Sequence, residues 1–197
     1  MESSPESSAL VRDSISDGIA VHQLLLDGFV PQVVQLAQRV VETFEQSGRV
    51  FFLGNGGSAA EAQHFATELL VRFKETRRAL PAIALTVDTS VITATGNDFD
   101  FSQIFARQVE ALVEPRDMVV AFSTSGNSPN VLEAIRVAAD RGATTVGFTG
   151  NRKGPLSSMV DLALEAPSAD TQRIQEVHLL LWHIICDLVD RAFAEKE

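Results

Sequence analysis

His64 and Glu68 stand four residues apart in a stretch, Ala59 to Leu70, that follows a glycine-rich loop and reads as a helix. That spacing sets an imidazole and a carboxylate on one face, one turn apart, as two ligands of one metal ion or a coupled acid and base require. A solvated His/Glu contact on a helix surface uses the same spacing, so the pair alone leaves both readings open. The order is H-x-x-x-E and not H-E-x-x-H, which excludes the zinc-protease arrangement. Further along, Gln175, Glu176, His178 and His183 fall within nine residues of a strongly apolar segment. Polar groups on a buried helix need partners. Interhelical hydrogen bonds, an exposed stripe or a functional site would each supply them.

Two loops could bring an anion to these groups. A short, mostly apolar run at 49–53 leads into Gly54, Asn55, Gly56, Gly57 and Ser58 before the helix of His64; residues 117–122 lead into Ser123, Thr124, Ser125, Gly126, Asn127 and Ser128 before Pro129. A strand passing through such a loop into a helix presents first-turn N–H groups backed by the positive end of the helix dipole. These bind phosphate or carboxylate without a basic side chain. Ser58 with Glu61 three residues later reads as a capping box, and Ser128 before Pro129 as an N-cap followed by the proline tolerated at the first helical position. The hydroxyls of Ser123, Thr124, Ser125 and Ser128 add donors for phosphate oxygens. Either loop alone is equally a tight strand-to-helix connection; together they point to a phosphorylated small molecule.

Composition narrows the class. A chain of 197 residues, 45% hydrophobic and 21% charged, fits one soluble domain with a full core, and no internal repeat or linker divides it. The net charge of -10 argues against nucleic acid as the main partner, because a polyanion needs a basic surface to displace its counterions. The same charge repels a phosphorylated substrate, so local donors must overcome it. Arg72, Lys74, Arg77 and Arg78 either assist there or form a solvated surface. With no uncharged apolar run of eighteen residues and a polar, acidic start, neither a membrane span nor a signal peptide is expected, and the location expected is cytoplasmic. The single cysteine, Cys186, allows no intramolecular disulfide and reads as core filler.

The elements that must position these groups follow from the apolar pattern. Residues 1–8 are low in complexity and expected to be disordered. Residues 9–47 carry apolar positions at helical spacing and read as two helices broken near 28–31, the second closed by Gly48. Strands are expected at 49–53, 82–86, 117–122, 144–148 and 161–165, with helices between most of them. Nearly continuous apolar strands alternating with helices predict a parallel sheet covered on both faces, with ligands beyond the carboxyl ends of its strands. Residues 49–195 then form the α/β core and a C-terminal helix from 170 to about 193. That helix is apolar on nearly every side, which a single domain cannot easily cover, so a second copy of the chain is expected against it.

The string Gly54, Asn55, Gly56, Gly57, Ser58, Ala59, Ala60, Ala62, Gln63, His64 resembles the bacterial phosphoheptose isomerases of the sugar isomerase (SIS) domain superfamily. So do Leu80 to Thr86, the pair Asn97 and Asp98, the loop Ser123 to Ser128, and Arg173, Ile174, Gln175, Glu176 with His178. The match runs in order from about 49 to 190. The resemblance implies a single SIS domain with a five-stranded parallel sheet flanked by helices, N-terminal helices and a long C-terminal helix used in oligomerisation. It also implies a homotetramer with active sites at subunit interfaces, and conversion of sedoheptulose 7-phosphate to D-glycero-D-manno-heptose 7-phosphate, the first step toward ADP- or GDP-heptose precursors. By the same resemblance Ser123, Thr124, Ser125 and Ser128 hold the phosphate, and Asn55, Gly56, Gly57, Asn97 and Asp98 line the sugar. His64, Glu68, Gln175 and His183 match the positions of one Zn2+ per subunit, Glu68 and His183 being also the acid/base pair, and Gln175 touching substrate. Gln172 stands where some members carry an Asp; either nearby Asp170 takes that role or the role is dispensable.

Two rivals are distinguishable. A non-catalytic relative that binds the replication initiator DnaA has the same fold with the catalytic pair replaced, whereas Glu68 and His183 are both present here. A nucleotide-binding Rossmann enzyme would place its ribose-binding acid about twenty residues after the glycine loop. The nearest suitable residue, Asp88, is 34 positions beyond Gly54.

Overall fold

The computed structural model describes residues 4–152 and 154–194. Helix α1 (Pro5–Gln23) begins where disorder was expected. Ser4 accepts a hydrogen bond from the N–H of Ser7 at 3.1 Å and Pro5 occupies the first helical position, so the Ser-Pro pair that looked like low complexity is a helix start. Residues 1–3 lie outside the described part. A short 3-10 turn (Leu24–Asp27) and Gly28 then break the chain, and α2 (Val30–Glu45) sets off at 76° with Pro31 in its first turn. Helix α2 buries one face through Val33, Leu36, Ala37, Val40 and Phe44. Among the described residues no single helix is long and apolar enough to cross a membrane; α1 and α2 reach that only as a bent pair.

The end of α2 differs from expectation in an instructive way. Its left-handed residue is Ser47, with φ at 59°, not Gly48. The N–H of Gly48 reaches back to the carbonyl of Thr43 at 2.8 Å and that of Ser47 to Phe44 at 3.2 Å, the two bonds of a Schellman cap. Gly48 is needed for another reason: a Cβ there would collide with the Arg116 carbonyl. Because serine pays a steric penalty at positive φ, Ser47→Gly is expected to stabilise the fold by about 0.5–1 kcal/mol and raise the thermal midpoint by roughly 1–4 °C. A lower midpoint in a calorimetric scan would contradict the cap.

Five strands follow: β1 (Val50–Gly54), β2 (Ala82–Ala84), β3 (Met118–Ser123), β4 (Thr144–Gly150) and β5 (Leu162–Ala166). They form one parallel sheet in the order β2-β1-β3-β4-β5. Alternate side chains of each apolar strand serve two cores. Phe52, Val120 and Phe122 face α2, α3 (Gly57–Leu70) and α8 (Thr171–Phe193). Phe51, Leu53, Val119 and Ala121 face α5 (Ala106–Leu112), α6 (Pro129–Asp140) and the single turn α7 (Leu156–Met159), with α4 (Thr89–Asp98) at the margin through Ile92. Trp182 anchors α8 edge-on to Phe52, centroids 4.9 Å apart. The strand order reverses between β1 and β3, and at such a switch point the loops beyond the carboxyl ends diverge and leave a crevice. The loops after β1 and β3 are the two glycine- and hydroxyl-rich segments.

Helix α8 is less uniformly buried than its composition suggested. Leu180 and Ile184 are 37% and 41% exposed, and with Leu26, Phe29, Val30 and Val34 they line an apolar groove of about 300 Å³. Val11, Ile15 and Ile19 of α1 are exposed as well.

Candidate active site

Helices α3 and α8 lie side by side and run in the same direction, meeting at Gly57 with Gln175, Glu61 with His178, and His64 with His183. At the middle of that seam three side chains converge. His64 Nε2 is 2.9 Å from Glu68 Oε1 and 3.4 Å from His183 Nε2, and the donor atoms of all three lie within 4.8 Å of one another. Phe73 stacks on the His183 ring at 5.5 Å, while His64 stays partly open to solvent. Burial, then the His64 imidazole, holds the His183 pKa below the usual imidazole range against the pull of Glu68. Two imidazole nitrogens facing each other beside a carboxylate offer two nitrogen donors and one oxygen donor to a single point, a set suited to a divalent transition metal. The i,i+4 pair is thus no isolated surface contact, because His183 completes it from α8.

The other polar groups of α8 separate into distinct roles. Glu176 pairs with Arg173 at 3.0 Å, and Arg173 reaches the Ser14 carbonyl of α1 at 2.9 Å. His178 is buried, with Nε2 3.3 Å from the Thr149 carbonyl and Nδ1 3.9 Å from Glu61 Oε2, so it bridges α8, β4 and α3. Gln175 lies against Gly57, where any Cβ would collide with its amide, so the glycine makes room for this side chain at the loop end of the seam. Cys186 is core filler, its thiol pushed up by burial and by the Glu68 and Asp190 carboxylates.

The first loop does not form the capping box. Gly56, at φ 57° and ψ -121°, is the N-cap, so α3 begins at Gly57 and Ser58 is buried inside its first turn. The N–H groups of Ser58 and Ala59 are taken by the carbonyls of Asn55 and Gly56 at 3.0 and 3.1 Å, which removes them as anion donors. Asn55 instead joins the two loops. Its Nδ2 donates to Asn130 Oδ1 at 2.9 Å, and Asn130 Nδ2 returns a bond to Asn55 Oδ1 at 2.8 Å. Asn130, in the first turn of α6, escaped the sequence reading; only its nearness to the Ser128 cap hinted at it. Asn130→Ala leaves the Asn55 amide without this partner and is expected to raise KM for a phosphorylated substrate about tenfold with little change in kcat. Equal losses in both constants would contradict a loop-tethering role.

In the second loop Ser128 caps α6 as expected, but its hydroxyl faces Ser123 Oγ at 3.1 Å and not the helix backbone. Ser125 Oγ accepts from the N–H of Asn127 at 3.2 Å, and Gly126 turns the chain at φ 66° over Thr149 and Gly154. Thr124 lies in the same turn. Asn97 and Asp98 end α4, exposed and bonded to each other at 2.8 Å; among the described residues neither has another side-chain hydrogen-bond partner. Asp170 caps α8 and also accepts from the Gln172 side chain at 3.2 Å. Asp88, the acid a Rossmann enzyme would need, caps α4 through the N–H of Val91 at 3.0 Å.

The basic cluster is not a uniformly solvated surface. Lys74 pairs with Asp187 at 2.9 Å, Arg78 lies over the Phe193 ring at 4.9 Å, and Arg77 is buried against Asp190.

Comparison with known proteins agrees with this fold. Residues 30–150 match the SIS domain family. The phosphoheptose isomerase of Roseiflexus sp. (strain RS-1) is 50% identical over 186 residues, 94% of each chain. The solved phosphoheptose isomerase GmhA of Neisseria gonorrhoeae is 39% identical with a TM-score of 0.88, over 93% of this chain and 98% of the other. That of Francisella tularensis is 38% identical with a TM-score of 0.91, over 94% and 98%. These matches cover nearly the whole chain and its fold: the chain belongs to the SIS-domain family and, within it, to the phosphoheptose isomerases.

Proposed function

We propose that the protein is an aldose–ketose isomerase converting sedoheptulose 7-phosphate to D-glycero-D-manno-heptose 7-phosphate, the first step toward ADP- or GDP-heptose precursors. The observation that carries this reading is the convergence of Glu68, His64 and His183 within 4.8 Å on the seam of α3 and α8. Relatives at this identity that bear the same name support the substrate class.

The reaction needs a proton taken from C1, next to the C2 carbonyl of the ketose. The C–H electron pair becomes the C1–C2 double bond of an enediolate as the carbonyl π pair moves onto the C2 oxygen, which takes a proton; a proton is then returned to C2, and the C1 hydroxyl gives up its proton as C1 becomes the aldehyde. Glu68 moves the carbon-bound proton, and His183, its pKa lowered first by burial and then by His64, passes protons among the oxygens. His64, Glu68, Gln175 and His183 would hold one Zn2+ per subunit, which when bound polarises the carbonyl and disperses enediolate charge. Ser123, Thr124, Ser125 and Ser128 grip the phosphate, while Asn55, Gly56, Gly57, Asn97 and Asp98 line the sugar. In this reading Asn55 acts chiefly by holding the two loops together.

The exposed apolar faces of α1, α2 and α8 support a homotetramer, and the exposed Asn97 and Asp98 pair fits a site completed at a subunit interface. We place the enzyme in the cytoplasm, where a phosphorylated sugar substrate would be found. The non-catalytic, DnaA-binding alternative draws no support from relatives named as isomerases, and Glu68 and His183, the residues such a relative would lack, are both present. The test is incubation of purified protein with sedoheptulose 7-phosphate in D2O, followed by NMR. Aldose formation with deuterium gained from solvent supports the proposal, and absence of turnover with zinc supplied rejects it.

A further inference from the structure

Arg77 lies between α3 and β2, with its side chain fully buried against Asp190 of α8, Nε to Oδ1 at 2.6 Å. The rest of the guanidinium turns to the end of α3. Nη2 donates to the Glu68 carbonyl at 2.8 Å, and Nη1 to those of Leu69 and Arg78 at 2.8 and 3.0 Å. Asp190 also accepts from the N–H groups of Lys74 and Glu75 at 2.6 and 2.9 Å, so both of its oxygens are engaged. A buried ion pair is costly to desolvate, and an apolar pair of similar volume would join two helices as well. What an apolar pair cannot do is grip the unpaired carbonyls at the negative end of a helix from a fixed fork. One of those carbonyls belongs to Glu68 itself. The other end of the fork is fixed seven residues beyond His183 on α8.

We infer that Arg77 and Asp190 are positioning residues for the isomerisation, locking the last turn of α3 to α8 so that the Glu68 carboxylate meets His64 and His183 in register. The inference rests on the reading of Glu68 and His183 as the acid/base pair. It assigns a task to a segment that otherwise carries a run of surface cations.

The test uses the full chain and sedoheptulose 7-phosphate. Arg77→Lys keeps a positive charge beside Asp190 but cannot bridge the Glu68 and Leu69 carbonyls. It is expected to lower kcat about tenfold or more, since small misplacements of reacting groups are expensive, while KM stays within about twofold because the hydroxyl loop is untouched. Circular dichroism and the thermal midpoint establish that the variant is folded at the assay temperature. If Arg77→Lys does not fold, Asp190→Asn is read for the same split of kcat from KM. A folded Arg77→Lys with wild-type kcat overturns the inference, as do kcat and KM worsening together, or failure of both variants to fold, which would leave the pair a purely structural role. Glu68→Gln assayed alongside separates the two levels. If that variant turns over normally, the acid/base reading has failed; if it is inactive and Arg77→Lys is not impaired, only the clamp has.

Discussion

Glu68→Gln is expected to lower kcat by about 10³-fold while binding of the phosphate ester persists. The substitution preserves shape and leaves a carbonyl oxygen to face His64 Nε2, now 2.9 Å from the carboxylate, so the seam need not repack. It removes the negative charge and the capacity to accept a proton from carbon. The proposed phosphate contacts lie in a different place, the turn between β3 and α6, whose Ser123 to Ser128 hydroxyl bridge does not involve Glu68. Binding and turnover should therefore separate. The measurement is calorimetric titration with the sugar phosphate beside a turnover assay, with proton exchange at C1 followed by NMR in D2O. Normal isomerisation by the variant would show that the base lies elsewhere; loss of exchange together with retained affinity would fix it at Glu68.

The parts of this site that a reader of the sequence could find are those that depend on local spacing. The strands were legible because residues such as 50–54 and 118–123 are continuous apolar runs, buried on both faces of a parallel sheet. His64 and Glu68 were legible because four residues on a helix make one turn. That His183 meets them from 119 residues away follows from the packing of α3 on α8, and only the family resemblance pointed to it. Long-range polar pairing was the least visible. Arg77 sits in a run of cations that reads as surface, yet it is buried because Asp190, 113 positions on, meets it from α8. Asn130 drew no notice in the sequence, because its partner, Asn55, is 75 positions away in the other loop. Local rules also misled where tertiary geometry outweighed them. Ser58 and Glu61 have the spacing of a capping box, but Gly56 takes a left-handed conformation and starts the helix early, which carries Ser58 into the core. Glu61 then faces His178 and not the helix start.

His64→Ala isolates the metal from the acid/base pair, because His64 is one of three converging donors but takes no proton in the scheme. Of the four proposed ligands Glu68, Gln175 and His183 remain, with Phe73 still stacked on the His183 ring. Because the variant loses one of only two imidazole donors and glutamine is an uncommon zinc ligand, it is expected to lose bound metal on dialysis and to lose at least about 10²-fold in turnover. Elemental analysis of the dialysed protein and steady-state assays with and without added Zn2+ provide the readouts. A metal-free variant that turns over at the wild-type rate would mean that Glu68 and His183 suffice, and the cluster would then be an acid/base site alone. A second readout needs no turnover. In metal-free protein the His64 imidazole is, after burial, the next cause that holds the His183 pKa down, so its removal should let that value move back up toward the ordinary imidazole range. An NMR titration that found His183 unmoved would show that the two rings do not share one electrostatic site, and the 3.4 Å approach of their nitrogens could not then be taken as the mark of a common ligand position.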